Sequence, residues 1–312
     1  PLTLSDFTEA ASLAVHAVER FLDELRNDVL PRSTGDFALG RDLYQRRLEA
    51  AEMDPAPVES LLAAGWRALD DTRNRMAAVS ERIAPGLGVA AALDSLRAEA
   101  PAETALVGFV EAQLDTIRAF LRKHPILSMP ASENLIVRET PSFRRGLTFA
   151  SMNAPGVWER HGTQAYYEVT PADPSSSERE KRDHLAFWNR FGSQIVSIHE
   201  ALPGHYYQFL ALQSVPSRLR QALRCGTNTE GWAHYCEEMM VEEGYGGGDP
   251  RIELAQLEMA LRRIGRLIAG ISLHTGAMSL DDAARMFEER CFMAPVNAVR
   301  EARRGTSDPG YL

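Results

Sequence analysis

Residues 197–208 read Ser-Ile-His-Glu-Ala-Leu-Pro-Gly-His-Tyr-Tyr-Gln. This stretch places His199, Glu200 and His205 within seven residues, and the apolar residues around them predict a buried helix. Imidazole is the most common zinc ligand, and a carboxylate beside a metal-activated water can act as its general base. The stretch therefore predicts a metal site, around which we expect the rest of the chain to be organised.

The spacing of the two histidines differs from that of the common zinc motif. In H-E-x-x-H the histidines are four residues apart and share one face of a helix. His199 and His205 are six apart, and six residues at about 100° each rotate an ideal helix by roughly 600°. Pro203 and Gly204 lie between them, and these two residue types distort or interrupt helices. We therefore interpret the stretch as H-E-x-x-H with a Pro-Gly insertion whose distorted turn returns His205 to the side of His199.

A second cluster follows in residues 229–238, which read Thr-Glu-Gly-Trp-Ala-His-Tyr-Cys-Glu-Glu. Glu230, His234 and Glu237 recur there at the spacing of one helix face. A catalytic zinc needs three protein ligands, and a glutamate from a second helix is one way to complete a site with two histidines. This segment is thus the candidate source of the third ligand.

The two motifs together, H-E-A-L-P-G-H and E-G-W-A-H-Y, resemble a large bacterial family of unknown function that is grouped with the zincin metallopeptidases. The resemblance extends over nearly the whole chain. It is also carried, more weakly, by Thr140-Pro-Ser-Phe143, Pro155-Gly-Val-Trp-Glu159, Ala165-Tyr-Tyr167 and Leu273-His-Thr-Gly276.

This resemblance implies a mainly α-helical, zincin-like metallopeptidase body with a small β-sheet beside the active-site helix. It implies a Zn²⁺ held by His199, His205 and Glu230, with Glu200 as the general base. A hydrogen bond to the developing oxyanion could come from His234, His274 or Tyr311, among which the sequence does not choose.

Composition excludes several classes of protein. The net charge of −9 argues against a general nucleic-acid surface, and no apolar run reaches the roughly 20 residues of a membrane span. Three cysteines, at 225, 236 and 291, are too few and too scattered for a disulfide framework. They favour a cytoplasmic location, although the chain reads as truncated at both ends and export stays open.

Periodicity divides the chain into a helical region, 1–129, and a zincin-like catalytic region, 130–312, expected to form one continuous body. Apolar stripes and helix caps predict helices over 5–27, 41–53, 57–83, 89–98, 102–122 and 250–274. Ser177 and Ser279 are predicted N-caps of two further helices, the second with Asp282 in a capping box. Nothing that suggests catalysis precedes residue 130.

Runs rich in β-branched and aromatic residues at 135–137 and 165–170 predict the small sheet. Residues 166–169 are the candidate edge strand for binding an extended peptide, with an ordinary covering hairpin as the alternative. On the 250–274 helix, Arg262, Arg263 and Arg266 could direct a guanidinium at a substrate carboxylate. A solvated basic face is the interpretation that their pattern favours.

The function expected from these features is zinc-dependent hydrolysis of an amide bond in a peptide or small amide. Two alternatives stay open. One is a metal-dependent enzyme that acts on a small metabolite, by hydrolysis or otherwise. The other is a binding protein with an inactive site, although the intact Glu200 argues against it. The sequence does not indicate an oligomeric state.

Overall fold

The computed structural model describes residues 3–129, 133–146, 148–159, 161–223, 225–307 and 309. The chain divides into two compact units, Pro1–Ala38 and Leu39–Leu312. Every feature of the candidate site belongs to the second unit.

The first unit is a helix with an irregular end. Helix α1, Leu4–Glu24, begins with a capping box in which Thr3 and Asp6 exchange hydrogen bonds, and a π-helical turn, Leu25–Val29, leads into the short α2, Leu30–Arg32. The predicted apolar stripe is present, but no described side chain of this unit is fully buried. Its large apolar side chains, including Phe7 and Phe21, are exposed.

The second unit is mainly helical. Its helices before the sheet are α3, Arg41–Glu52; α4, Val58–Ile83; α5, Gly88–Arg97; and α6, Leu106–Lys123. After the sheet come α7, Glu178–Phe187; α8, Gly192–Glu200; α9, His205–Gln213; and α10, Arg218–Ala222. The last four are α11, Gly226–Glu242; α12, Pro250–His274; α13, Leu280–Cys291; and α14, Pro295–Ser307.

One hydrophobic core takes residues from both sides of position 130, from Leu69 in α4 to Ala302 in α14. Helix α12 lies at its centre and packs along α4, where Gly65 permits the close approach: a Cβ there would lie 3.1 Å from Ile268. Helices α4, α5 and α6 of the predicted helical region therefore share a core with the predicted catalytic region. Cys225, Cys236 and Cys291 are all free, as the sequence predicted.

The small sheet has three strands, β1, Leu135–Glu139; β2, Ala150–Asn153; and β3, Ala165–Val169. Their order is β1-β3-β2, with β3 parallel to β1 and antiparallel to β2. The prediction that residues 166–169 form an edge strand is therefore wrong, because β3 is hydrogen-bonded on both sides. Strand β2, which the sequence analysis missed, has no second strand partner among the described residues.

Among the described residues, no single helix is both long and apolar enough to cross a membrane. Helices α4 and α5 meet that test only as a pair, by length and composition, and they are bent by 66° relative to each other.

Candidate metal site

The Pro-Gly insertion forms a tight turn between two helices. Helix α8 ends at Glu200 and α9 begins at His205, so the two histidines lie on different helices. The Gly204 amide donates to the Ile198 carbonyl at 3.0 Å. This approach requires glycine, since a Cβ at 204 would lie 1.9 Å from the His199 carbonyl oxygen. The turn thus gives the six-residue spacing a physical explanation.

Helix α11 holds this turn from the other side. The indole Nε1 of Trp232 donates a hydrogen bond to the Pro203 carbonyl at 3.0 Å, and Cys236 Sγ approaches the same oxygen at 3.5 Å. The two motifs that are separate in sequence are therefore in direct contact. This contact fixes where Glu230, two residues before Trp232, lies relative to the histidines.

The turn and α11 bring His199, His205 and Glu230 together. One ligand-type atom from each lies within 4.8 Å of the other two. The Oε2 atom of Glu230 is 3.5 Å from His199 Nε2 and 3.7 Å from His205 Nε2. Tetrahedral zinc with bonds of about 2.0–2.2 Å holds its donor atoms about 3.3–3.6 Å apart. Both glutamate–histidine distances lie close to that range, and two histidines with one carboxylate are a donor set that suits zinc.

The ring of His199 is oriented by Glu237, which lies two turns after Glu230 on α11. His199 Nδ1 is 2.8 Å from Glu237 Oε1, and Arg263 of α12 pairs with the same carboxylate at 2.7 Å. A buried carboxylate at this distance requires a proton on Nδ1, although Arg263 Nη2 also lies 3.0 Å from that nitrogen. Nε2 is then the ring nitrogen that faces Glu230 and would bind a metal. Histidine ligands of metals commonly have such a carboxylate behind them.

Electrostatics keep both glutamates of this cluster ionised. Burial alone would raise the pKa of Glu237, but Arg263 and the hydrogen bond from His199 outweigh it and lower the pKa to about 2. Burial opposes ionisation of Glu230 as well, yet the neighbouring imidazoles of His199 and His205 hold the pKa of this carboxyl well below its usual range. An anionic Glu230 is the form that a metal ligand requires.

The cluster opens into a cavity of about 1080 Å³. His199, Glu200 and Glu230 line it, and Glu200 is half-buried at the last residue of α8. No hydrogen bond or ion pair engages the Glu200 carboxylate among the residues that the structure describes. Phe149 and Ala150, at the start of β2, line the same cavity. The cavity therefore combines two of the three candidate ligands, a carboxylate without a hydrogen-bond partner among the described residues, and an edge of the sheet.

The three residues predicted as candidate oxyanion donors lie in different places. His234 lies on α11, and its Nδ1 is buried without a hydrogen-bond partner. This atom is 3.6 Å from Glu237 Oε2, so His234 faces the carboxylate that orients His199 and not the ligand cluster. His274 does not line the cavity; it stacks on Tyr44, and its Nε2 hydrogen-bonds to the Gly305 carbonyl at 2.8 Å. The structure therefore places His274 outside the site. Tyr311 lies outside the described residues.

The arginines of α12 also differ from expectation. Arg263 pairs with Glu237, and Arg266 forms two hydrogen bonds of 2.7 Å with Glu301. Arg262 is half-buried beside Phe187, so the interpretation of these three arginines as a solvated basic face is wrong. The sequence analysis missed the roles of Trp232, Glu237 and Arg263. Glu237 had a signal, since it shares the helix face of Glu230, whereas the other two depend on contacts between distant helices.

The fold and this site define a mainly helical protein with a small three-stranded sheet and a candidate metal centre of two histidines and one carboxylate. The chain belongs to the family described as "Bacterial protein of unknown function (DUF885)", whose pattern matches residues 3–312. No curated protein matches the sequence.

Two solved structures share the fold. One, from Shewanella oneidensis, is described as a "putative lipoprotein of unknown function"; it is 25% identical with a TM-score of 0.78, and the match covers 99% of this chain and 60% of that one. The other, described as a "putative lipoprotein" from Colwellia psychrerythraea, is 19% identical with a TM-score of 0.79, over 98% of this chain and 52% of that one. The chain thus spans between half and two thirds of these relatives.

Proposed function

We propose that the chain is a zinc-dependent, zincin-like hydrolase that cleaves an amide bond in a peptide. The observation that carries this proposal is the convergence of His199, His205 and Glu230 within 4.8 Å, beside a cavity that His199, Glu230 and Glu200 line. Two histidines and one carboxylate are a ligand set of hydrolytic zinc enzymes.

The roles of the residues follow from their positions. His199, His205 and Glu230 would hold the metal, which when bound supplies Lewis-acid polarisation of the scissile carbonyl and lowers the pKa of water. Glu200 accepts a proton from the attacking water and delivers it to the nitrogen of the leaving amine. Glu237, fixed by Arg263, keeps the His199 ring in one tautomer and orientation.

An extended substrate fits best along β2. Strand addition needs unpaired backbone groups at a sheet edge, and central β3 does not offer them. Ala150 of β2 lines the cavity together with His199 and Glu230. We therefore assign peptide binding to β2 in place of residues 166–169.

Metal analysis of the purified chain, with hydrolysis of mixed peptides measured before and after chelation, tests the proposal. We expect about one zinc per chain, loss of turnover on chelation and recovery when zinc is restored. Bound iron in place of zinc would favour a non-hydrolytic metalloenzyme, because two histidines and one carboxylate also form iron sites. Turnover of small amides but not peptides would favour a metabolite enzyme, and a metal-free chain would favour a binding protein.

The likeness to two chains described as lipoproteins supports export rather than the cytoplasmic location that the cysteines favoured. We include export in the proposal. Fractionation of the source cells tests it, since recovery of the protein with cytoplasmic markers would contradict it.

A further inference from the structure

Arg262 is a cation at the wall of the cavity that holds the candidate metal site. Its Nε atom is buried and has no hydrogen-bond partner, and no carboxylate forms an ion pair with its guanidinium among the described residues. An arginine side chain carries five N–H donors in a rigid fork and stays charged in proteins. A buried N–H donor without a partner is costly unless an acceptor completes it.

The neighbouring carboxylates do not form an ion pair with Arg262, because each already has a closer arginine partner. Glu237 pairs with Arg263, and Glu301 pairs with Arg266. The nearby carboxylates Glu301 and Glu258 act on Arg262 only at longer range, since Glu258 pairs with Arg97 at 2.9 Å. Burial and the adjacent arginines lower the pKa of Arg262 from its usual range, against the pull of those two carboxylates.

The surroundings of Arg262 suit an anion attached to an apolar group. Its guanidinium carbon lies 5.2 Å from the centre of the Phe187 ring, and Phe187 packs against Phe149 with ring centres 4.5 Å apart. At the same wall, exposed Arg300 lies over Phe149 at 5.8 Å. The acidic Glu180 and Asp173 of the cavity are occupied by hydrogen bonds to Ser177 and Ser175.

We propose that Arg262 is the carboxylate-binding residue of this cavity and that the substrate carries a carboxylate beside an apolar side chain. A planar carboxylate matches the guanidinium fork through two parallel hydrogen bonds. The carboxylate comes either from the C-terminus of a peptide, which makes the enzyme cleave near that end, or from an acidic side chain. This inference rests on the proposed function, because it assigns a substrate to the same site.

Binding tests the proposal without turnover. The probes are N-acetylphenylalanine, its amide and N-acetylglutamate α-amide, titrated calorimetrically into the full zinc-treated chain. We expect N-acetylphenylalanine to bind at least about tenfold more tightly than its amide, the scale of one charge-assisted hydrogen-bond pair. Arg262→Gln should remove that preference, Arg262→Lys should keep part of it, and the exposed Arg182→Gln of α7 should keep all of it. If N-acetylglutamate α-amide instead binds best, the carboxylate is a side chain.

Hydrolysis separates this inference from the proposed function. One peptide is prepared with a free C-terminus, with a C-terminal amide, and as an amide with an internal glutamate. Failure to cleave any of them with zinc bound contradicts the proposed function, while the binding preference still stands or falls separately. Equal affinity of the wild-type chain for N-acetylphenylalanine and its amide, without tighter binding of N-acetylglutamate α-amide, would overturn the role of Arg262, whether or not its variants fold.

Discussion

Trp232 donates its indole N–H to the carbonyl of Pro203 at 3.0 Å, and this one hydrogen bond joins the two motifs of the chain. The acceptor lies in the turn between His199 and His205, and the donor lies two residues after Glu230. The candidate ligands from α8, α9 and α11 therefore depend on a common contact.

Trp232→Phe should leave the fold intact and weaken zinc affinity by about tenfold, because it removes the donor but keeps an aromatic ring. Metal titration followed by competition with a chelator measures the change. The matched control is Trp158→Phe, which removes an indole hydrogen bond to Gln221 of 2.6 Å away from the cavity lining. Equal zinc affinity in both variants would show that the Pro203 contact does not support the site.

Gly204→Ala should lose stoichiometric metal and lower the melting temperature. The added Cβ would meet the carbonyl oxygens of His199 and Ile198 at 1.9 and 2.4 Å, both of them backbone atoms that cannot move aside cheaply. Gly231→Ala is the control, because a Cβ at that helical position meets nothing within 4 Å. That variant should be neutral or more stable by about 0.5–1 kcal/mol. A Gly204→Ala chain with full metal content would refute our account of the turn.

Glu200→Gln should bind zinc near wild-type occupancy and lose about 100-fold or more in turnover, because the amide cannot accept a proton. Glu230→Gln should instead weaken zinc binding itself, since it removes an anionic ligand. Metal content and turnover are measured together on both variants. Near-wild-type turnover in Glu200→Gln would disprove the proposed base.

Glu237→Gln should reduce zinc affinity by about 10–100-fold, the usual effect of losing a carboxylate behind a histidine ligand. It also leaves Arg263 without its anionic partner. Glu238→Gln, one residue along α11, removes only a partly exposed pair with Arg75 and should leave zinc affinity unchanged. Equal affinities in the two variants would argue against the role of Glu237.

Acid should destabilise the chain partly through Glu301. Burial raises the pKa of this carboxyl, but hydrogen bonds and charge from Arg266 outweigh burial and lower it from 4.5 to about 2. The ionised pair therefore stabilises the fold above pH 4.5, and this contribution is lost as the pH falls toward 2. Glu301→Gln should flatten that part of a curve of unfolding free energy against pH, while exposed Glu288→Gln should not. An unchanged curve for Glu301→Gln would contradict the assignment.

Local sequence signals predicted the helices closely. Pro250 at the first position of α12 and Asp249 as its cap define that helix start, and the N-cap at Ser177 and the capping box at Ser279 are present as predicted. Strand order could not be predicted, because pairing of β3 with both neighbours depends on contacts far apart in sequence. The start of α11 at Gly226 was also missed, because the helical spacing that the sequence analysis used begins only at Glu230.

The candidate site could also be predicted only in part from the sequence. Residue chemistry and the family resemblance indicated His199, His205 and Glu230, and these three meet in the structure. Their support did not follow from spacing, because Arg263 reaches Glu237 only through the packing of α12 on α11. His274 illustrates the reverse case, in which a plausible residue type at a helix end takes part in packing instead.

The turn at residues 201–204 also changes how such a centre can vary. In an uninterrupted helix, the separation of two histidines four residues apart is set by the helical repeat. Here the two imidazoles belong to separate helices joined by a turn of four residues, so substitutions in the turn can change the distance between the imidazoles. A sequence search for histidines four residues apart does not find such a chain, and it would also not find related centres whose turns have other lengths.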